Sequence, residues 1–174
     1  LKNDLYIASN CNKCIKRSFV LDNRIFLKKG LRSEDMDWCG EVLYLMPAMT
    51  CLNGKPYIYR QEVDSSNTSK VDRSHLNDII QMIKIALKKS KNLNPQERYY
   101  YLSFYAVQYL TLLYSIEILK RKDANDLLKE VYNLRKVLNN DLNYKVKKAN
   151  KIMKLFGYKF MIKALRFYVS NIIK

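Results

Sequence analysis

Glycine and proline are scarce in this chain of 174 residues, which holds four of the first and three of the second. Sheets of many short strands need tight turns, and tight turns use these two residues. Their scarcity argues against an all-β architecture and predicts that helices dominate. Hydrophobic residues make up 48% of the chain and charged residues 28%, which is typical of a globular protein and excludes the disordered class.

Negative charge is missing from one end of the chain. Residues 142–174 contain nine Lys and Arg and no Asp or Glu. Residues 1–72 hold 11 basic and 9 acidic residues, a net charge of +2, so the chain's +16 leaves +14 for residues 73–174. This asymmetry predicts two functional halves, with domains at 1–72 and 73–174. The second is expected to seek a polyanion or an anionic membrane face.

An initiating Met and a signal peptide are also missing, so we expect a piece of a longer protein.

The four cysteines show no disulfide framework spacing, which indicates a reducing compartment and a cytoplasmic location. Cys11 and Cys14 form a C-x-x-C, but Cys39 and Cys51 do not complete a paired zinc knuckle. We expect four buried, reduced cysteines and no metal ligands.

The first 72 residues alternate short segments, which predicts an α+β fold that is mostly α. The apolar patterns predict strands at Leu5 to Ala8, Met49 to Leu52 and Tyr57 to Arg60, and helices at Ile15 to Leu21 and Ser33 to Met46. Asn53-Gly54 indicates the turn between the last two strands, and the polar residues 64–70 are the expected domain boundary.

After residue 72 every pattern is helical, which predicts a helical bundle. The expected helices are His75 to Lys89, Pro95 to Lys120, Ala124 to Leu138, Tyr144 to Phe156 and Tyr158 to Ile173. Residues 99–116 carry no charge, and 18 positions is the lower limit for a membrane span. Six of them are Tyr, so we predict a buried bundle helix instead.

An acidic cluster stands at the start of the second predicted helix, in Ser33-Glu34-Asp35-Met36-Asp37-Trp38. Ser33 is a good N-cap, and the helix dipole favours carboxylates in the first turn and keeps Asp35 ionised. Asp35 and Asp37 have the D-x-D form of a metal site, but residues two apart on a helix point about 200° apart. Asp35 and Trp38 share a face, which suits a sugar ring lying on the indole; equally, Trp38 can be a core residue.

The residues around this cluster resemble the C-terminal part of the catalytic domain of family 2 glycosyltransferases with a GT-A fold. The matching features, in the family's order, are Lys16-Arg17-Ser18, Phe26 with Lys29-Gly30, Glu34-Asp35 with Trp38, Leu52-Asn53, and Pro56-Tyr57-Ile58-Tyr59-Arg60 followed by Ser65 or Ser66. The resemblance is strongest to bacterial enzymes that build capsule, exopolysaccharide and lipopolysaccharide. It covers residues 16–69.

The resemblance implies an inverting transfer of a sugar from a nucleotide sugar to a glycan or lipid-linked acceptor. It assigns Asp35 as catalytic base, Glu34 as supporting carboxylate, Trp38 and Asp37 to the acceptor, and Arg60 to the donor diphosphate. It also implies a divalent cation, Mg²⁺ or Mn²⁺, whose ligands lie in an N-terminal half that this chain lacks. We therefore expect the chain alone to be inactive.

The basic C-terminal segment allows two interpretations. Phe160, Met161, Ala164, Leu165, Tyr168 and Ile172 share one face of the last predicted helix, and Lys159, Lys163 and Arg166 another. Such a helix can lie in an anionic membrane interface, at the inner face of the cell membrane, or pack into the bundle with its lysines solvated. The alternative function is thus a noncatalytic basic module that binds a membrane or nucleic acid; nucleic acid is less favoured because the tyrosines are not interleaved with basic residues.

Overall fold

The computed structural model describes residues 1–4, 6–52, 54, 57–58, 72–118 and 125–172, and in these ranges the fold is mostly helical. The α-helices are α1 (Arg17–Asp22), α2 (Glu34–Leu45), α3 (Arg73–Lys89), α4 (Pro95–Ile118), α5 (Leu128–Leu134), α6 (Tyr144–Phe156) and α7 (Tyr158–Ile172). Within the same described ranges, the 3₁₀ segments Ser90–Asn92, Asn125–Leu127 and Arg135–Asn139 connect or extend these helices.

Helix α4 is the centre of the bundle, packing against α2, α3, α6 and α7. Most of its uncharged stretch is buried, including Tyr101, Tyr105 and Tyr109. The hydroxyl of Tyr109 donates to the carbonyl of Val131 at 2.9 Å and lies 3.2 Å from the hydroxyl of Tyr158. These partners remove the cost of burying a phenol, and the prediction of a buried bundle helix is confirmed. In the described part of the chain, no helix is long and apolar enough to cross a membrane.

Local signals place the ends of the other helices. The Asp72 side chain accepts from the amide of His75, so α3 begins at Arg73. Helix α6 begins after the cap Asn143 and ends at Gly157, which has a φ of +83°.

The continuous helix predicted from Ala124 to Leu138 is wrong within the described residues, since α5 is flanked there by two 3₁₀ segments.

The strand predictions are wrong for the residues that can be examined. The described residues of Met49 to Leu52 and of Tyr57 to Arg60 form no strand, and the side chains of Leu52 and Ile58 are 75% and 90% exposed. A strand needs a partner to receive its backbone hydrogen bonds, and a lone hairpin is marginal in water. Asn53, Tyr59, Arg60 and residues 64–70 lie outside the described residues, as do Leu119, Lys120, Ala124 and Ile173 from the predicted helices.

The first predicted strand is also wrong, over Tyr6 to Ala8; Leu5 is outside the described residues. This segment is held by the side chain of Tyr6 and not by the hydrogen bonds of a β-sheet. The hydroxyl of Tyr6 donates to the carbonyl of Cys39 at 2.6 Å, and its ring meets Phe104 edge-on with centroids 5.7 Å apart. The α part of the expected α+β class therefore stands, and the described residues contain no β part.

The core joins residues from both sides of position 72. Met36 and Cys39 of α2 are buried in one cluster with Leu76 of α3 and Phe104 of α4. The boundary between domains 1–72 and 73–174 stays a prediction. The expectation of four buried cysteines is wrong, because only Cys39 is buried, while Cys11, Cys14 and Cys51 are exposed.

Candidate functional site

The candidate site is the start of helix α2, where the acidic cluster lies. Ser33 precedes the helix, and its carbonyl accepts from the amides of Met36 at 3.1 Å and Asp37 at 3.2 Å. Its side chain makes no cap hydrogen bond within the helix. Instead, Ser33 Oγ lies 2.9 Å from Nδ1 of His75. Helix α2 thus begins at Glu34, with Ser33 at the N-cap position as predicted, but the Ser33 side chain does not cap the helix and instead joins α2 to α3.

Asp35 is a half-buried carboxylate in the first turn of α2. Burial raises its pKa above the ordinary value, because charge is less stable away from water, and the negative charge of Glu34 raises it further. The backbone amides of Met36 and Asp35 and the ammonium of Lys13 oppose this shift. A carboxylate with this balance takes up a proton more readily than one in water, which suits a general base.

Glu34 is partly buried beside Asp35. Its charge is one of the causes that raise the pKa of Asp35. The resemblance assigned Glu34 as a supporting carboxylate, and this electrostatic effect is a physical way in which it could act.

Asp37 occupies a different environment from Asp35. It is buried, and its Oδ2 lies 2.8 Å from Nζ of Lys28, which comes from the loop before α2. The two aspartates are two positions apart on one α-helix, so their side chains diverge. Among the described residues there is no group of three His, Cys, Asp or Glu side chains arranged to hold a metal ion. The acceptor role of Asp37 stays a prediction.

Trp38 is held by its indole nitrogen, which donates to the carbonyl of Ile25 at 3.3 Å. The ring is partly buried and packs against the core. Asp35 and Trp38 are three positions apart in α2 and therefore lie on neighbouring positions of one helical face. These contacts agree with the interpretation of Trp38 as a residue that packs on the core, and its role at the acceptor stays a prediction.

His75 makes a contact in this region that the sequence did not reveal. It lies in the first turn of α3, as expected, and burial lowers its pKa. Arg32 also lowers that pKa, whereas Asp72, Asp78 and Asp35 oppose the shift. The sequence carried one usable signal, Asp72 as the N-cap of α3. The contact with Ser33, 42 residues away, has no signature in the sequence.

Ion pairs and hydrogen bonds fix the neighbouring turns of α2 and α3. The amide of Arg32 donates to Asp78 Oδ2 at 3.0 Å, and the Arg32 guanidinium pairs with Asp72. On the other side, Lys13 Nζ donates to the carbonyls of Ile7 at 2.7 Å and Ser9 at 2.6 Å. These contacts hold two segments in place, and the ammonium of Lys13 is close enough to Asp35 to lower its pKa.

Arg60, assigned to the donor diphosphate, lies outside the described residues. Comparison with models of protein families, with curated proteins and with solved structures finds no match for this chain. The structure brings Ser33 and Asp35 close to His75, and Trp38 lies three positions after Asp35 on α2.

Proposed function

We propose that this chain carries the acceptor side of an inverting glycosyltransferase in which Asp35 is the catalytic base. One observation carries the proposal. The Asp35 carboxylate is half-buried, has a raised pKa and shares a helical face with a fixed, partly accessible indole. The ordered resemblance over residues 16–69 supplies the reaction class.

In such a transfer, Asp35 takes the proton of an acceptor hydroxyl while that oxygen attacks the anomeric carbon of a nucleotide sugar. The nucleoside diphosphate leaves from the opposite face of the ring. Glu34 strengthens the base by raising its pKa, and the indole of Trp38 offers a flat apolar surface to the acceptor. A divalent cation, Mg²⁺ or Mn²⁺, would offset charge on the departing diphosphate, with Arg60 beside it.

The segment after α2 supports an α/β arrangement in the complete enzyme. Met46 has extended backbone, and Met49, Leu52 and Ile58 expose apolar side chains to solvent. In the proposed enzyme, neighbouring strands of a sheet would cover these side chains. The proposal places those strands in a donor-binding half outside this chain.

The acceptor would be a glycan or a lipid-linked glycan of a bacterial surface polysaccharide, such as capsule or lipopolysaccharide, assembled in the cytoplasm.

The test replaces Asp35 by Asn in the longest polypeptide that the gene encodes. We expect kcat to fall by about 10²- to 10⁴-fold, because the acceptor hydroxyl loses its base. Nucleotide-sugar affinity, measured by calorimetry, should stay within about two-fold of wild type, since Asp35 acts on the acceptor.

Two further variants sharpen this test. Glu41→Gln removes a carboxylate from the same helix, one that pairs with Lys89 at 2.6 Å, and should leave kcat unchanged. Glu34→Gln lowers the pKa of Asp35, so the acidic limb of the kcat/KM profile should move to lower pH. Activity of Asp35→Asn within a few-fold of wild type contradicts the assignment of the base.

A second candidate function is a noncatalytic basic module that binds an anionic membrane or nucleic acid. The net charge of +14 on residues 73–174 favours it. Binding to a polyanion that weakens steeply with salt and ignores nucleotide sugars, in a full-length product without transferase activity, would support this function over the first.

A further inference from the structure

Helices α6 and α7 use only part of their apolar surface to join the bundle. Val146 and Met161 are buried, and Ile152, Met153 and Leu165 pack against the core. The single apolar face predicted for the last helix is thereby divided. Its Met161 and Leu165 turn toward the bundle, whereas Phe160 and Tyr168 are exposed. The bundle therefore covers one part of this helix and leaves another part exposed.

The exposed side forms a surface that we call the aromatic–basic surface. It consists of the exposed apolar residues Leu155, Phe156, Phe160, Phe167 and Tyr168 and the exposed lysines Lys151, Lys154, Lys159 and Lys163. Phe167, Leu155 and Phe156 are 73%, 65% and 62% exposed. The rings of Phe156 and Phe160 lie 4.9 Å apart between centroids, across the turn at Gly157. Phe160, Lys163 and Phe167 follow one stripe of α7, at helical spacings of three and four.

The charge around these rings indicates what covers them. Residues 142–174 contain no acidic side chain, so no carboxylate of α6 or α7 neutralises the lysines. Arg166 follows Lys159 and Lys163 along α7, and it pairs with Glu117 of α4 at 2.7 Å, whereas Lys159 and Lys163 themselves are exposed. Large apolar side chains that project between lysines on a helical surface match a bilayer interface, where the rings enter the acyl boundary and the ammonium groups meet lipid phosphates.

We infer that the aromatic–basic surface docks this protein on a membrane rich in anionic phospholipid. An anionic bilayer fits better than nucleic acid, because Leu155 is aliphatic and the rings of Phe156 and Phe160 pack on each other instead of standing apart to receive bases. The inference goes beyond the proposed transferase activity and does not use Asp35.

The experiment measures binding of the whole chain to vesicles of phosphatidylcholine with about 30% phosphatidylglycerol, and of phosphatidylcholine alone, by cosedimentation. We expect binding to the anionic vesicles that weakens with salt, and at least about ten-fold weaker binding to the neutral ones. Phe156→Ser with Phe160→Ser should weaken anionic binding by about ten-fold or more, since two rings leave the interface. Lys159→Glu with Lys163→Glu should weaken it by at least about 30-fold.

Controls carry changes of the same kind elsewhere. Phe26→Ser alters one exposed ring in the loop before α2, and Lys88→Glu with Lys91→Glu reverses two exposed charges, one near the end of α3 and one in the 3₁₀ segment that follows it. Both should bind vesicles as wild type does, and so should Asp35→Asn, whatever its effect on transfer. Circular dichroism should show native helix content in every variant.

Three results would overturn the inference. The first is no binding to anionic vesicles at low salt. An equal loss of vesicle affinity in Lys159→Glu with Lys163→Glu and in Lys88→Glu with Lys91→Glu would count as the same result, because it would mean diffuse attraction by net charge. The second is binding of a DNA or RNA duplex in place of vesicles, weakened by the lysine change and not by the serine changes. The third is self-association in analytical ultracentrifugation that the serine changes abolish, without vesicle binding, which would make the surface an interface between copies.

Discussion

Asp35 has two opposing influences on its charge. The start of a helix favours a carboxylate, and two backbone amides and Lys13 lower its pKa. Burial and the charge of Glu34 outweigh them, so the net shift is upward. A residue whose ionised form is less stable in the folded chain than in water reduces stability at neutral pH, which is a common cost of a functional carboxylate.

Replacing Asp35 by Asn should therefore raise the Tm of the chain at pH 7. Because the pKa of Asp35 is higher in the folded chain, the unfolded chain loses its proton first as pH rises from about 4, and the free energy of unfolding falls. Asn does not ionise and keeps an oxygen for the amides. The difference in Tm between Asp35→Asn and wild type should be positive at pH 7 and approach zero near pH 3, in melts followed by circular dichroism.

Asp22→Asn is the control for this comparison, because Asp22 is an exposed carboxylate at the end of α1. Its substitution should change the Tm little, because it lies on the surface. A lower Tm for Asp35→Asn at pH 7 would mean that the hydrogen bonds of the carboxylate outweigh its burial.

Among the helices, α2 and α4 approach each other closely at Gly40. A Cβ at Gly40 would overlap the hydroxyl of Tyr105 and come within 2.8 Å of its Cζ. Tyr105 is itself buried, with its hydroxyl 3.4 Å from that of Tyr101, so it has little room to move. Gly40 lowers the helix propensity of α2 but allows the close approach that positions the acidic turn.

Gly40→Ala should destabilise the chain by about 1–3 kcal/mol, although Ala is the better helix former, because the added methyl group overpacks the α2–α4 contact. Urea unfolding measures the change. In the double variant Gly40→Ala with Tyr105→Phe the hydroxyl is gone, and part of the loss should be recovered relative to the two single changes. An increase in stability for Gly40→Ala would contradict the close approach.

Across the whole molecule, distant parts of the chain share contacts. Asn143, fully buried before α6, donates from Nδ2 to the carbonyl of Leu1 at 3.0 Å and to Asp4 Oδ1 at 2.6 Å. Lys145 Nζ pairs with Asp4 at 2.7 Å. These contacts join the first residues to the basic helices, in addition to the core that α2 shares with α3 and α4.

We expect one cooperative thermal transition for this chain, because unfolding α2 would expose Met36 and Cys39 together with the faces of α3 and α4 that cover them. Differential scanning calorimetry should give a calorimetric enthalpy equal to the van't Hoff enthalpy. Two separate transitions would instead support independent domains at 1–72 and 73–174.

The predictions from the sequence were most accurate where the controlling contacts are local. Helix α6 has both predicted ends, because Asn143 accepts from the amide of Lys145 and Gly157 supplies the positive φ that ends the helix. The strands of Met49 to Leu52 and Tyr57 to Arg60 had the right residue types, but a strand forms only when another strand receives its hydrogen bonds. Propensity alone gives no information about that partner.

In the candidate site, too, the features set by local sequence were predictable and those set by distant contacts were not. The sequence by itself determined that Glu34, Asp35 and Asp37 begin a helix and that the C-terminal third is basic, since helix periodicity and charge depend on neighbours within one turn. Only the tertiary structure decided three pairings: the hydrogen bond of Ser33 with His75, the ion pair of Lys28 with Asp37, and the close approach of Tyr105 to Gly40. It also decided which aromatic rings of α7 are exposed. These pairings join residues far apart in the chain, and packing, which depends on the shape of the whole core, selects them.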